Sequence, residues 1–325
     1  MHYSHLTREQ RSQISALKSI GMSHRSIALQ LGVASTTIDR EIRRNGYRQR
    51  GFKDQRSHEQ AVARRKKARS KRMKLTPDLA SQIGDKLTLY WSPEQISGWL
   101  RKKSVFISHE SIYRLIIADR RNGGHLYLFL RRRGRKLRKN RYQMGRKSPI
   151  KDRVDISQRP SIVETKSRIG DLEIDLIVGA ESSGYLLTIV DRCSKAVFIA
   201  KVATKEARVV SNALISRLNR SMALLKPLTI TSDNGTEFAF HKAITAALDA
   251  PMFFATPYSS WERGLNEHTN GLIRQFLPKK ASFALLSDDD IFKIEFSLNN
   301  RPRKSLNFQT PLEILLFSAT AALHG

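Results

Sequence analysis

Gly170-Asp-Leu-Glu-Ile-Asp-Leu-Ile-Val-Gly179 is the stretch that decides the fold of this chain. Leu172, Ile174, Leu176 and Val178 alternate with Asp171, Glu173, Asp175 and Ile177, and a period of two marks a β-strand with side chains on opposite faces. The next apolar run, Tyr185–Val190, ends at Asp191, and another, Ala196–Val202, follows the short Arg192–Lys195 connection. Three antiparallel strands are the economical arrangement. A helical stretch from Thr204 to about Leu225 then leads to a short strand, Leu228–Thr231, which runs straight into Ser232-Asp-Asn-Gly235. A further helix, a short strand at Met252–Ala255 and a helix after Trp261 complete the order β-β-β-α-β-α-β-α. That order predicts a ribonuclease-H-like α/β domain built on a mixed five-stranded sheet.

The acids of this region fall where a metal site needs them. Asp175 is mid-strand, Asp233 sits just past a strand end, and Glu267 lies early in a helix after the loop Pro257–Gly264. Mg²⁺ is a hard ion that takes oxygen ligands, and two such ions roughly 3.5–4 Å apart activate an attacking oxygen and stabilise a leaving one. Phosphoryl transfer asks for positioning and charge neutralisation rather than a nucleophilic side chain. The catalytic and metal-holding set is therefore Asp175, Asp233 and Glu267, with two Mg²⁺ ions per site and Mn²⁺ as a substitute.

Other acids compete for these roles. Glu173 shares the strand face of Asp175, about 7 Å along the strand. Asp191 ends the neighbouring strand, where a cap on the Arg192 turn accounts for it. Glu262 stands at the helix entrance, Glu237 favours the start of the next helix, and Asp288–Asp290 after Ser287 read as helix N-terminal charge. His241 and His268 are either surface histidines or DNA contacts. Asn266, Asn270 and Arg274 recur at i, i+4 and i+8 beside Glu267. For the asparagines a grip on a nucleic-acid strand and local hydrogen bonding stand level, while Arg274 is favoured as a DNA contact.

The formal net charge of the 325 residues is +29, and it is unevenly spread. Residues 1–150 hold 36 Lys and Arg against 10 Asp and Glu, a balance of +26, whereas residues 151–325 hold 22 against 19, a balance of +3. Solubility does not require so basic a half, and counterion release makes double-stranded nucleic acid its natural partner. No amphipathic basic helix with bulky apolar residues opposite is evident, so a membrane surface is not expected, nor is a small-molecule substrate. No stretch approaches the roughly 18 apolar residues of a membrane span, and the polar N-terminus lacks signal-sequence character. Cys193 is the only cysteine, which excludes an internal disulfide and a thiolate zinc cluster. A cytoplasmic, nucleoid-associated protein is the expectation.

The basic half reads as two helical units. Thr7 with Gln10 forms a capping box, Ile14 and Leu17 follow at helical spacing, and Gly21 breaks the helix. Ser23 caps a second helix with Ile27, Ala28 and Leu31, Gly32 turns the chain, and Ser35 caps a third with Ile38 and Ile42. Thr36, Thr37, Asp39, Arg40, Arg43 and Arg44 then face outward. This is a helix-turn-helix pattern, whose last helix offers hydroxyls and guanidinium groups to base edges and phosphates. A second unit opens at Thr76 and Pro77, continues through a capping box of Ser92 with Gln95, and closes with a helix capped by Ser108. That last helix buries Ile112, Leu115 and Ile116 and presents His109, Arg114, Arg120 and Arg121; Trp91 and Trp99 are expected in the core. The basic runs Arg64–Lys74 and Arg131–Lys147 are expected to be extended or only locally helical, and Leu126–Leu130 is an apolar island between them and the rest. The domain plan is thus 1–50 helix-turn-helix, 51–75 basic linker, 76–122 second unit, 123–165 basic linker and 166–325 catalytic domain.

Three segments resemble one known family closely. Gly170–Gly179, Ser232-Asp-Asn-Gly-Thr-Glu-Phe238 and Trp261-Glu-Arg-Gly-Leu-Asn-Glu-His-Thr-Asn-Gly-Leu-Ile-Arg274 are similar to the catalytic motifs of the IS-thirty family of insertion-sequence transposases. The likeness extends to the early helix-turn-helix, to Arg153-Val-Asp-Ile-Ser-Gln-Arg-Pro160 and to Asn299-Asn-Arg-Pro-Arg303. It maps the family's three acids to Asp175, Asp233 and Glu267, with 33 residues between the last two, and its later basic residue to Arg274. The resemblance implies a transposase that binds terminal inverted repeats, then cleaves and transfers DNA strands at element ends and target, as a homo-oligomer of at least two copies. The competing readings are a regulator that keeps the helix-turn-helix without catalysis and a nuclease that never joins.

Overall fold

In the computed structural model the described residues are 5–45, 54–71, 75–131, 150–257 and 259–323. They belong to two compact units, Met1–Thr76 and Pro77–Gly325. The basic run Arg131–Lys147, apart from Arg131 itself, and residues 72–74 of the earlier run lie outside the described residues.

In the first unit, local capping chemistry sets the helices. Thr7 and Gln10 exchange hydrogen bonds of 3.2 and 2.9 Å at the start of α1 (Arg8–Ser19), satisfying donors that a helix N-terminus otherwise leaves unpaired. Ser23 caps α2 (His24–Gln30), and Gly32, at φ +63°, makes the left-handed turn into α3 (Ser35–Asn45). Ser35, expected as a cap, is instead the first residue of that helix. Ile14, Ile27, Ala28 and Ile38 close the small core with Leu6. The segment read as a basic linker, extended or only locally helical over its basic run, holds an 18-residue helix, α4 (Asp54–Lys71). Its buried Ser57 and Ala61 lie one turn apart, and Arg64, one turn on, donates to the side chain of Asn45. Small residues make this packing stripe, so no hydropathy period announced it.

The second unit begins with α5 (Pro77–Thr88), α6 (Pro93–Lys102) and α7 (His109–Arg121), with Ser92 and Ser108 as caps. Trp91 and Trp99 meet edge to face at 5.5 Å as core aromatics. A 3₁₀ turn, Leu126–Phe129, carries the apolar island and sets Phe129 edge-on to Tyr90 at 5.5 Å. These helices are not a free-standing module. A Cβ on Gly98 would fall 2.2 Å from the ring of Phe308, so α6 approaches the C-terminal region at a distance that only glycine permits.

After α8 (Ile162–Thr165), the sheet forms from β1 (Asp171–Val178), β2 (Tyr185–Asp191), β3 (Val197–Val202), β4 (Thr229–Ser232) and β5 (Met252–Phe254). Its order is β3-β2-β1-β4-β5, with the first three strands antiparallel and β4 and β5 parallel to β1. Intervening helices are α9 (Ala207–Asn219), α10 (His241–Leu248), α11 (Gly264–Ile273), α12 (Asp288–Asn299) and α13 (Pro311–Leu323). Leu172 and Ile174 point into one core with Val210, Leu214 and Ile244; Ile177 points into the other with Leu272, Ile273 and Leu298. The odd-numbered side chains of β1, including Glu173 and Asp175, therefore project to the face that α11 covers.

Both sheet edges are occupied. At β5 the amide of Phe254 donates to Val154 of the lead-in segment at 2.9 Å. At β3 side chains do the pairing: Asn299 accepts from the amide of Val197 and donates to its carbonyl at 2.8 and 2.7 Å. Glu295 accepts from the amide of Ile199 at 2.8 Å, and Arg217 donates to its carbonyl and to Glu295. This blocks an edge that would otherwise template further strands. Asn299→Ala leaves both polar backbone groups of Val197 without their partner and should cost about 2–4 kcal/mol; urea denaturation read by tryptophan fluorescence measures this, and a change below about 0.5 kcal/mol would show that the pairing is dispensable.

Candidate active site

Asp175 projects from β1 opposite Thr188 of β2, and Asp233 follows the last residue of β4, which runs parallel beside β1. Adjacent strands thus deliver two carboxylates to one place. Between them lies a residue that sequence reasoning missed. Arg263 is 8% exposed and sets Nη2 at 3.2 Å from Oδ1 of Asp175 and Nη1 at 3.3 Å from Oδ2 of Asp233. Its Nη2 also donates to the carbonyl of Ile174 at 2.7 Å. Burial opposes the guanidinium charge, but Asp175 and Asp233 outweigh it and raise the Arg263 pKa. Burial pushes the Asp175 carboxyl above its ordinary value; Arg263 pulls it back and the charge of Asp233 adds to the rise. The signal was available: Arg263, Glu267, Asn270 and Arg274 recur at i, i+4, i+7 and i+11, one helical stripe.

Asn270 on that stripe donates from Nδ2 to Oδ2 of Asp175 at 2.6 Å and accepts from Thr188 at 3.3 Å. Asp233 is held by its own turn, Oδ1 accepting from the amide of Gly235 at 3.1 Å. Asn234 anchors that turn to the carbonyl of Ala255 at 2.6 Å and accepts from Arg153. Glu267 is exposed in the first turn of α11, on the stripe between Arg263 and Asn270. Among the described residues no group of three His, Cys, Asp or Glu is close enough to hold a metal ion. Glu237, read as a helix-start charge, lies in the first turn of the 3₁₀ helix Thr236–Phe238 with its carboxylate over Gly235, and its pKa is raised by burial and then by the charges of Asp233 and Asp175.

The competing acids have other work. Glu173 is 2% exposed, pairs with Arg192 at 3.1 Å and accepts from the amide of Asn266 at 3.2 Å, so it caps the first turn of α11. Asp191 accepts from the amides of Gly170, Cys193 and Ser194 at 2.8, 3.0 and 2.8 Å, the turn role its position suggested. Asp171 is fully buried against Arg168 and Thr229. Glu262 accepts from the amide of Thr256 at 2.8 Å, and Asp290 completes a capping box with Ser287. His241 is buried rather than on the surface, bonded to the carbonyl of Lys151 at 3.1 Å and edge-on to Phe254. Arg274 donates to the carbonyl of Val178 at 2.7 Å, which ties it to the end of β1. The side chain of Asn266, 1% exposed, has no hydrogen-bond partner.

In the first unit, Thr36, Arg40, Arg43 and Arg44 are exposed along α3, with Thr37 half-buried beside them. In the second unit, His109 and Arg114 are exposed on α7. None of the described helices is long and apolar enough to cross a membrane.

Two family models match: one described as a helix-turn-helix domain covers residues 2–45, and one described as an integrase core domain covers residues 168–260. The second span takes in Asp175 and Asp233 and ends before Glu267. The chain is 44% identical over 310 residues to the transposase for insertion sequence element IS4351 of Bacteroides fragilis, covering 95% of this chain and 94% of that one. It is 35% identical over 322 residues to transposase InsI for insertion sequence element IS30A of Escherichia coli K12, covering 96% and 83%. A transposase for insertion sequence element IS1086 of Cupriavidus metallidurans is also 35% identical, with 96% and 94% covered. With a helix-turn-helix unit ahead of an integrase-type sheet, and identity of this depth over nearly the whole length, the chain belongs to the IS-thirty family of insertion-sequence transposases, enzymes that bind DNA and transfer polynucleotide strands.

Proposed function

We propose that this transposase cleaves and joins DNA at a carboxylate centre made of Asp175, Asp233 and Glu267, loaded with a divalent cation, Mg²⁺ or Mn²⁺. The observation that carries the reading is the single guanidinium shared by Asp175 and Asp233, at 3.2 and 3.3 Å. Two carboxylates that draw one cationic group between them form a hard oxygen donor pair suited to such an ion. A cation bound there supplies the positive charge that lets a phosphodiester approach two carboxylates. Glu267 is the proposed third ligand because it shares the α11 stripe with Arg263 and Asn270, both of which touch Asp175. A second ion, if the site takes one, depends on that third carboxylate.

The chain's own groups do the rest. Asn270 orients Asp175, the Asn234 turn fixes Asp233, and Arg263 holds the two acids together before loading. Water attacks a phosphodiester at the element end, releasing a 3′ hydroxyl; that hydroxyl attacks a second phosphodiester, forming one P–O bond as another breaks. Thr36, Thr37, Arg40, Arg43 and Arg44 on α3 are the proposed readers of the terminal inverted repeat, with His109 and Arg114 on α7 extending the contact.

Purified full-length protein with Mg²⁺ and labelled element-end duplex should nick and join, while Asp233→Asn retains binding and loses at least about a hundredfold in rate. Equal rates would sink the carboxylate assignment, binding without cleavage by the wild type would favour a regulator, and nicks never followed by joined products would favour a nuclease. Arg40→Ala should weaken binding to the matched end by about 1–3 kcal/mol while leaving affinity for random duplex nearly unchanged; equal losses on both duplexes would reassign Arg40 to the phosphate backbone.

A further inference from the structure

A cavity of about 600 Å³ lies within the second unit, between the Tyr90–Gln95 segment and α7 on one side and α11 with the Arg301–Arg303 segment on the other. Its walls carry Arg131, Arg301, Arg303 and His268. Arg301 is 2% exposed; it donates to Gln275 at 3.0 Å and lies over the rings of Phe276 and Tyr90, 5.0 and 5.8 Å from their centroids. Arg303 donates to the carbonyl of Leu298 at 3.0 Å. The Nε atoms of both are buried without a hydrogen-bond partner. A third arginine, Arg131, lays the tip of its guanidinium against α11 at Gly271.

Among the described residues no carboxylate pairs with Arg301 or Arg303. The one carboxylate in the lining, Glu94, is exposed and paired with Lys304 at 2.8 Å. The neighbouring segment 132–149 contains no Asp or Glu, so its sequence supplies no anion either. Buried like charges without an opposite partner are expensive, and proteins retain them where a ligand provides the partner. The strain is electrostatic: burial and then the neighbouring arginines pull Arg301 down to about 9, and burial and then Arg131 pull Arg303 down to about 10.

We propose that this cavity is a phosphate-binding site that seats a backbone phosphate of the DNA strand beside the carboxylate centre. The rigid, fork-shaped guanidinium suits a phosphate oxyanion, and the stacking of Arg301 on two rings holds it ready. The position suits a strand rather than a small molecule. Helix α11 turns Asn270 toward Asp175 and lines the cavity with His268 and Leu272 on another face, Gln275 following just past its end. A strand crossing this helix from the reacting phosphodiester meets the arginines next. The assignment rests on DNA being the substrate.

The test measures binding rather than cleavage, so failure of the carboxylate reading would leave it intact. Affinity of the full-length protein for element-end and random duplexes would be followed across KCl concentrations for wild type, Arg303→Gln, Arg303→Lys and Arg131→Gln. Arg131 is exposed, so its variant decides the matter if Arg303→Gln fails to fold. Loss of one phosphate contact should weaken both duplexes alike by about tenfold and reduce the slope of log K against log salt by about one, with Arg303→Lys retaining most of the affinity. Unchanged affinity and slope in the folded variants would overturn the proposal. So would thermal stabilisation of the wild type by inorganic phosphate, against chloride at equal ionic strength, with DNA binding unaffected by the substitutions; the cavity would then be a site for free phosphate.

Discussion

The guanidinium of Arg263 between Asp175 and Asp233 is the contact on which the site depends. Two unit charges about 4 Å apart interact by about 4 kcal/mol at an effective dielectric near 20, so two carboxylates brought together on adjacent strands need a cation between them. Their approach is fixed by backbone pairing: Asp171–Glu173 of β1 lie in parallel register with Thr229–Thr231 of β4, and each aspartate follows within two residues. The fold thus creates repulsion between the middle of β1 and the C-terminal end of β4, and Arg263 neutralises it. A group that bridges both acids also marks where a bound cation would act, because the same negative potential draws either.

A second network keeps α11 in place relative to the sheet. Arg159 reaches Thr231 of β4 at 2.8 Å and pairs with Glu164; Arg192 pairs with Glu164 at 2.9 Å and Glu173 at 3.1 Å; and Glu173 caps α11 through the Asn266 amide. Burying such pairs contributes little net stability compared with apolar packing, but breaking one strands a charge in the interior. The network is therefore better understood as fixing geometry than as holding the fold together. It also explains why Glu173, two residues from Asp175 on the same strand face, is not interchangeable with it. Its oxygens are already committed to Arg192 and to a helix N-terminus, while Asp175 keeps its carboxylate toward Arg263 and Asn270.

Strands and capped helices were legible because their signals are local. The alternation around Asp175, the run Leu228–Thr231, the boxes at Thr7 and Ser92 and the acids after Ser287 each place an element to within a residue or two. Helix α4 was not, since Ser57 and Ala61 bury too little apolar surface to make a period. The chemistry was only half legible for a related reason. Asp175 and Asp233 sit on neighbouring strands whose register follows from the sheet, whereas His241 and Arg263 take their roles from partners far away in sequence. His241 is buried by Lys151 and Phe254, a contact that no spacing near residue 241 encodes.

The two faces of α11 bring these strands of argument together. One stripe, Arg263 to Arg274, is organised around carboxylates and carries compensated charge: Arg263 balances Asp175 and Asp233, and Arg274 ends on the carbonyl of Val178. The other face, with His268, looks on Arg301 and Arg303, which no acid among the described residues balances. A helix that balances negative charge on one side and leaves positive charge unbalanced on the other is poorly explained by stability alone, because filling the cavity with apolar side chains would be cheaper than burying guanidinium groups there. The asymmetry is what a polyanion needs as it crosses the helix: repulsion from the acids relieved where it reacts, and uncompensated cations where it is held. The second helical unit completes that holding site, since Tyr90 supports Arg301, and Gly98 seats the unit against Phe308. On this proposal, holding the strand and transferring it meet at one helix, α11.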